Sequence, residues 1–241
     1  MREPRFYRHW IKDSRLISFN VTVEQTDLFI RSRRNLTNKA LNSVLKHRGC
    51  LEAYIGRHPL FLTTLDRYQA EAEAPTIVKE MARVSELAGV GPMAAVAGAI
   101  AEAVGRDLLA FSSEIIVENG GDIFLKITEK RLVGIYAGQS SFTQKIAIEI
   151  MPRETPLGIG TSSGTVGHSL SLGNADAVIG LSSSAALADA AATAIGNIVK
   201  NKDDIGKAIE QARNIEGLRG VVIIIGDQMG VWGKVKIVPL S

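Results

Sequence analysis

Two alanine-rich segments constrain the fold of this chain more than any other feature of its sequence. Residues 93–104 read MAAVAGAIAEAV, in which Glu102 is the only charged residue, and residues 185–197 read AALADAAATAIGN. Both patterns predict helices that have almost no polar face. Such helices must be covered by other elements on most sides, so we expect both to lie inside the core.

A line of polar side chains interrupts the second segment. Asp189, Thr193 and Asn197 are spaced by four residues and therefore lie along one side of the predicted helix. A carboxylate and a hydroxyl one turn apart are oxygen ligands, the kind that Mg²⁺ prefers. The serine-, threonine- and glycine-rich residues 160–169 precede this helix, and together the two segments favour a site for an anionic small molecule with a metal. A structural alternative stays open, in which Asp189 caps a neighbouring turn and Thr193 bonds to the carbonyl four residues back.

Composition and charge narrow the class of protein. The single cysteine, Cys50, excludes an internal disulfide framework and fits a reducing compartment. Residues 1–60 carry an excess of Lys and Arg, but no nucleic-acid-binding motif accompanies it, so we expect a solvated basic face and no nucleic-acid partner. The sequence shows no secretory signal and no uninterrupted apolar stretch of about 20 residues, and we therefore expect a cytoplasmic protein without a membrane span.

The rest of the chain predicts a mixture of strands and helices. Short apolar or alternating runs predict strands, and apolar residues at helical spacing predict helices, several of them bounded by Gly or Pro. No Pro- or Gly-rich linker divides the chain, so we expect one α+β domain over residues 1–241, with a mainly antiparallel sheet around the buried helices. The predicted strands cover residues 17–26, 28–30, 114–118, 122–128, 132–136, 145–150, 177–181, 220–225 and 234–238, and the predicted helices cover about 35–56, 75–87, 93–104, 185–197 and 203–214.

A glycine turn joins two of the predicted strands. Asn119, Gly120, Gly121 and Asp122 lie between apolar runs, and this pattern is typical of a tight hairpin turn. Paired glycines also let a backbone approach a ligand closely, so that its N–H groups face an anion or the polar edge of a flavin ring. Asp122 is the side chain that could orient such a ligand. The hairpin and the ligand-binding interpretations both stay open at this point.

Taken in their order along the chain, the hairpin, the polar segment and the alanine-rich helix resemble the motifs of the ApbE-like superfamily. The resemblance is greatest to the short cytoplasmic branch of that superfamily. The resemblance covers nearly the whole chain, and it is the combination of motifs that makes it specific. The matching segments are residues 26–28, 58–61, 90–98, 118–123, 160–171 and 188–194.

The resemblance implies a T-fold-like architecture and a Mg²⁺-dependent flavin transferase, which splits FAD and attaches FMN to a Thr or Ser of an acceptor protein. It implies Asp189, Thr193 and the carbonyl of Gly89 as metal ligands. Residues near the FAD or FMN would be Glu86, the hairpin Asn119, Gly120, Gly121 and Asp122, and Thr161, Ser162 and Ser163 of the polar segment. His168 is the candidate base for the acceptor hydroxyl, by elimination.

The chain departs from the family pattern in two segments, one of which is Met93-Ala94, where the enzymes have a Gly-Tyr pair. In the other, the enzymes carry His-x-x-Asp-Pro-x-Thr-Gly before the metal helix, whereas this chain has His168 followed by SLSLG. Three alternatives therefore stay open: binding of a flavin or another phosphorylated ligand with or without FMN transfer, a role in sulfur assimilation or homocysteine formation, and a non-catalytic binding module. The buried helices are compatible with a homodimer but do not require one.

Overall fold

The computed structural model describes residues 15–165 and 172–240, which form eleven strands and six α-helices. The strands are β1 Ile17–Val23, β2 Thr26–Ser32, β3 Ile115–Asn119, β4 Asp122–Lys126, β5 Arg131–Gly134, β6 Ile146–Ile150, β7 Leu157–Ser162, β8 Ala177–Ser182, β9 Leu218–Ile225, β10 Gln228–Gly233 and β11 Ile237–Pro239. The helices are α1 Thr37–Arg57, α2 Leu60–Thr63, α3 Thr76–Ala88, α4 Val96–Leu108, α5 Ala185–Ile198 and α6 Ile205–Asn214, and a 3₁₀ turn, Pro92–Ala95, precedes α4.

The strands form two sheets. Eight of them pair in the order β1-β2-β3-β4-β7-β8-β9-β10, and the other three pair in the order β11-β6-β5. Every neighbouring pair in the described chain is antiparallel. The α+β class and the mainly antiparallel sheet that the sequence predicts are therefore confirmed.

The large sheet lies between the helices and the small sheet. Along β9, Val221 and Ile223 belong to the core that the helices share, while Val222 and Ile224 belong to the core under the small sheet. Because successive side chains of a strand point to opposite faces, a strand that is covered on both faces needs apolar residues at every position. This explains the continuous apolar run of residues 221–225 in β9.

Helix α5 lies directly on the large sheet because small residues line the contact. A Cβ placed on Gly160 of β7 would lie 2.2 Å from the backbone nitrogen of Asp189, and one on Gly98 of α4 would lie 2.2 Å from the carbonyl oxygen of Ala185. No side chain fits at such distances, so glycine is required at both positions. The alanine content of α5 and these glycines together let its backbone approach both β7 and α4.

Several boundaries and elements differ from the predicted ones, and the short helix α2 was not predicted. The first strand ends at Val23 rather than at residue 26, because a turn that contains Glu24, with a φ of 51°, separates β1 from β2. Helix α4 continues past Gly105 to Leu108, because a Cβ on Gly105 would collide with the ring of Phe124 and the glycine serves packing rather than termination. Strands β7 and β10 were not predicted, and Gly160 to Ser162 therefore lie in a strand rather than in a loop.

A membrane-spanning helix is not found in the part of the chain that the structure describes. One pair of helices, Thr76–Ala88 and Pro92–Leu108, passes the test of length and composition only when taken together, and the pair is bent by 103°. Both helices contribute to the hydrophobic core, with Met81 from the first and Ile100 from the second fully covered.

Candidate functional site at the N-terminus of helix α4

The first turn of α4 brings together two of the motifs that the sequence singles out. The backbone N–H of Gly98 donates to Oδ2 of Asp189 on α5 at 2.8 Å. The side-chain amide of Asn119, at the end of β3, donates to the carbonyl oxygen of Ala97 at 3.1 Å. The hairpin and α5 therefore meet at the same helix end, where unpaired backbone N–H groups and the helix dipole favour negative charge.

The β3–β4 connection is the tight hairpin that its glycines predict. Gly120 and Gly121 have φ values of 70° and 113°, and Asn119 pairs with Asp122 across the turn. The N–H of Gly121 donates to Oε1 of Glu118 at 3.1 Å, so a buried carboxylate lies against the turn. Left-handed backbone at both turn positions accounts for the two glycines without any ligand.

Asp122 connects the hairpin to β7. Its Oδ1 accepts the backbone N–H of Thr161 at 2.9 Å. A Cβ on Gly121 would lie only 2.4 Å from Oγ1 of Thr161, which shows how closely the turn approaches this strand. The third predicted motif, at the end of β7, is thereby part of the same site.

Two buried carboxylates dominate the electrostatics of this site. Asp189 is 7% exposed and Asp122 is 6% exposed. Burial, and after it the charge of Asp122, raise the pKa of Asp189 well above its usual range, although the N–H groups of Gly98 and Ala97 act in the opposite direction. Two carboxylates that interact away from water favour a bound proton or a cation between them.

The donor atoms fit Mg²⁺ better than a softer metal. Asp189 has acceptor capacity beyond its bond to Gly98, and Thr193 lies half-buried one turn further along α5. Across residues 15–165 and 172–240, no cluster of three or more His, Cys, Asp or Glu side chains has the arrangement of a metal site. Mg²⁺ is commonly held by one or two carboxylates, with water and substrate phosphate completing its shell, so this sparse oxygen set is sufficient for it.

The other predicted site residues in the described chain lie at the end of β7, in the turn that follows it, and in or directly after α3. Ser162 is buried next to Gly196 of α5, and Oγ of Ser163 accepts the N–H of Thr165 at 3.1 Å in the turn after β7. Glu86 is exposed on α3, and Gly89 ends that helix in a left-handed conformation, its N–H donating to the carbonyl oxygen of Ser85. Neither Glu86 nor Gly89 has a described hydrogen bond to the residues around Asp189. His168 lies outside the described residues.

Glu102 is a residue of this region to which the sequence analysis assigned no role. Its Oε2 accepts the backbone N–H of Ala185 at 2.7 Å and the hydroxyl of Ser184 at 3.0 Å, at the N-terminus of α5. The signal in the sequence was its isolation as the one charge in an apolar helix, because a buried charge needs partners.

Comparison with known proteins agrees with this architecture. A family model with the description "AbpE bacteria" matches residues 8–231. The "UPF0280 protein" of Methanocaldococcus jannaschii is 40% identical over 221 residues, which cover 89% of this chain and 90% of the relative. The "UPF0280 protein" of Methanocella arvoryzae is 46% identical over 195 residues, covering 80% and 79% of the two chains. The chain belongs to this ApbE-like family.

A solved structure extends the comparison of this ApbE-like protein to a named enzyme. The apo form of the flavinyl transferase ApbE from Pseudomonas stutzeri superposes with a TM-score of 0.61, covering 90% of this chain and 94% of the other. The sequence identity is 12%, so the likeness is one of fold. The recognition made from the motifs is confirmed by the family match, and the roles of individual residues stay predictions.

Proposed function

We propose that this ApbE-like protein binds a flavin nucleotide, FAD or FMN, together with Mg²⁺ at the N-terminus of α4. The observation that carries the proposal is the pair of buried carboxylates, Asp122 and Asp189, whose charges interact where the three motifs meet. Burying such a pair is costly unless a cation or a proton compensates it. The fold that the protein shares with a flavinyl transferase supports the flavin as the ligand.

The residues have distinct roles in this proposal. Asp189 and Thr193 would hold the metal from adjacent turns of α5, and the carbonyl of Gly89 would be the third protein ligand. The turn glycines and Asn119 would form the wall against which the flavin lies, and Thr161 and Ser163 would face its phosphates, whereas the side chain of Ser162 is buried next to Gly196 of α5. A Mg²⁺ bound there would offset the charge of a pyrophosphate.

Beyond binding, the proposal includes transfer of FMN to an acceptor. The P–O–P bond of FAD would break, AMP would leave, and the hydroxyl oxygen of an acceptor would form the new bond to the FMN phosphorus. The acceptor would be a Thr or Ser of a partner protein, with His168 as the candidate to take the hydroxyl proton. A cytoplasmic location and a role in sulfur assimilation stay predictions from the sequence, and no contact in the site favours the latter.

Calorimetric titration with FAD, with and without Mg²⁺, tests the binding proposal. We expect binding that requires Mg²⁺ in the native protein and is lost in Asp189→Asn, which keeps an oxygen for the N–H of Gly98 but removes the charge. Asp204→Asn is the matched control, because Asp204 also accepts backbone N–H groups, from Lys200 and Asn201, but lies on the surface. Equal FAD binding with and without Mg²⁺, or unchanged binding in Asp189→Asn, would contradict the proposal.

Release of AMP from FAD tests the transfer step without knowledge of the acceptor. Water can replace the acceptor hydroxyl, and FAD and water then give FMN and AMP, which chromatography separates. We expect slow release that needs Mg²⁺ and Asp189. Mg²⁺-dependent FAD binding without any AMP release, even with a panel of Thr- and Ser-containing peptides, would leave a flavin-binding protein and refute the transferase.

A further inference from the structure

The N-terminus of α5 has a complete set of capping partners. The N–H of Ser184 donates to Oγ of Ser182 at 3.2 Å, and that of Leu187 donates to Oγ of Ser184 at 3.3 Å. The N–H of Ala185 donates to Oε2 of Glu102 at 2.7 Å. A helix start has unpaired N–H groups that readily bind a phosphate, but here a carboxylate and two serine hydroxyls of the protein already accept from them. The phosphates of a ligand must therefore bind elsewhere.

The two alanine-rich helices cap one another. Glu102 of α4 accepts N–H groups at the start of α5, and Asp189 of α5 accepts the N–H of Gly98 at the start of α4. The residue before α4 is Ala95, which has no side chain able to cap, so the carboxylate from α5 takes that place. Each helix is therefore capped by a carboxylate of the other helix. On its own helix, each of these two carboxylates lies one turn beyond the N–H group that is capped.

This arrangement fixes how far α5 can slide along α4. The closest approach is at Gly98, where a Cβ would lie 2.2 Å from the carbonyl oxygen of Ala185 and 2.9 Å from Cβ of Asp189. The carboxylate of Glu102 is itself held, since its Oε1 accepts from Arg106 at 2.6 Å, and its side chain is only 12% exposed. The position of the Glu102 carboxylate therefore determines where the N-terminus of α5 lies.

We propose that Glu102 is a positioning residue for the Asp189 carboxylate. By holding Ala185 and Ser184, it sets the axial position of α5 and therefore the place where Asp189 meets the first turn of α4. Its proposed effect on metal binding rests on the proposed function, whereas its effect on the Asp189–Gly98 contact does not. Residues that orient metal ligands typically change metal affinity about 10- to 100-fold when they are replaced.

Two variants separate positioning from simple loss of charge. Glu102→Gln keeps an oxygen that can accept the N–H of Ala185, and Glu102→Ala removes it. Glu210→Gln is the matched control, because Glu210 pairs with Arg213 on exposed α6 and caps no other helix in the described structure. We expect the Mg²⁺ needed for half-maximal FAD binding to rise at least tenfold in Glu102→Ala and less than threefold in the two Gln variants. An unchanged Mg²⁺ requirement in a folded Glu102→Ala would overturn the proposed effect on metal binding.

Amide hydrogen exchange gives a readout that needs no ligand. In metal-free protein we expect protection of the Gly98 amide to fall at least tenfold in Glu102→Ala, relative to the amides of β9 that report on global unfolding. Glu102→Gln and Glu210→Gln should leave it within twofold. Loss of protection confined to Ala185 and Ala186 would show a local cap and refute the positioning role. If the native protein shows no Mg²⁺-dependent FAD binding, the proposed function fails, and the exchange result still decides the role of Glu102.

Discussion

The charge of Asp189 should destabilise the metal-free protein at neutral pH. Two substitutions separate the effect of this charge from that of the hydrogen bond to Gly98. Asp189→Asn removes the charge but keeps an oxygen that can accept the N–H of Gly98. Asp189→Ala removes both. We therefore expect Asn to be more stable than the native residue at pH 7, and Ala to be less stable than Asn.

The pH dependence follows from the direction of the pKa shift. Burial and the nearby Asp122 raise the pKa of Asp189 in the folded state above its usual value of 3.8. Between those two pKa values the folded protein binds more protons than the unfolded chain, so the free energy of unfolding falls as the pH rises. The advantage of Asn over Asp should be absent near pH 4 and grow by about 1.4 kcal/mol per pH unit until the folded pKa is reached.

The difference between Asn and Ala should not depend on pH. In the Ala variant the N–H of Gly98 stays buried without its partner, which costs about 1–3 kcal/mol. Urea unfolding from pH 4 to pH 8 in the presence of a chelator measures both differences. Asp204→Asn is a control of opposite sign, because the N–H groups of Lys200 and Asn201 lower the pKa of Asp204 and its charge favours folding as the pH rises.

Adding Mg²⁺ should stabilise the native protein selectively. A ligand that binds only the folded state adds about 2.7 kcal/mol at 100 times its Kd, so the native protein should gain stability that neither variant shows. The reasoning is refuted if Asp189→Asn is less stable than the native protein at pH 7 without metal, or if the two curves run parallel over the whole pH range.

Three further substitutions test the packing around the site. Gly160→Ala should lower the free energy of unfolding by about 3 kcal/mol in urea titrations, because the new methyl would lie 2.2 Å from the backbone of Ala188; a loss below about 1 kcal/mol would contradict the close contact. Gly121→Ala should cost about 1–3 kcal/mol on the same measure, because a φ of 113° is strained for any side chain, and an unchanged midpoint would argue for a different turn. Arg131→Met should cost about 1–3 kcal/mol, because the carboxylate of Glu114 is 1% exposed and loses a 2.6 Å partner while it keeps Arg33 and Thr128 as partners; stability restored in the double variant with Glu114→Gln would confirm the cause, and its absence would exclude it.

The longer helices and most strands could be predicted from the sequence because their signals are local. β7 could not, because it reads LGIGTS and its two glycines resemble a loop. Those glycines are explained only by α5, whose backbone occupies the space of the missing side chains. β10 was not predicted for a different reason. It is an edge strand with little burial, and it therefore has no apolar pattern that would indicate a strand.

The candidate site was only partly predictable for a similar reason. The hairpin, the polar segment and Asp189 each gave a local pattern, and the structure brings all three to one end of α4. The group that Asp189 contacts lies 91 residues earlier, on a backbone amide, and an amide leaves no mark in a sequence. The sequence therefore left a metal ligand and a helix cap as alternatives for Asp189, although a carboxylate can accept from Gly98 and still have lone pairs for a cation.

The two charges that interrupt the alanine-rich helices now have a common explanation. An apolar helix packed against glycines has no large side chains to fix its position, and close packing alone permits small shifts along its axis. A carboxylate that receives N–H groups from a neighbouring helix is directional, and it is costly to leave without those partners in the core. Glu102 and Asp189 supply such a contact at the N-terminus of each helix. Of the two, Asp189 has the buried carboxylate of Asp122 as a neighbour, whereas Glu102 has the guanidinium of Arg106. The same capping device therefore has a cationic partner from the protein at the start of α5 and a second buried carboxylate beside it at the start of α4, where we propose that a cation binds.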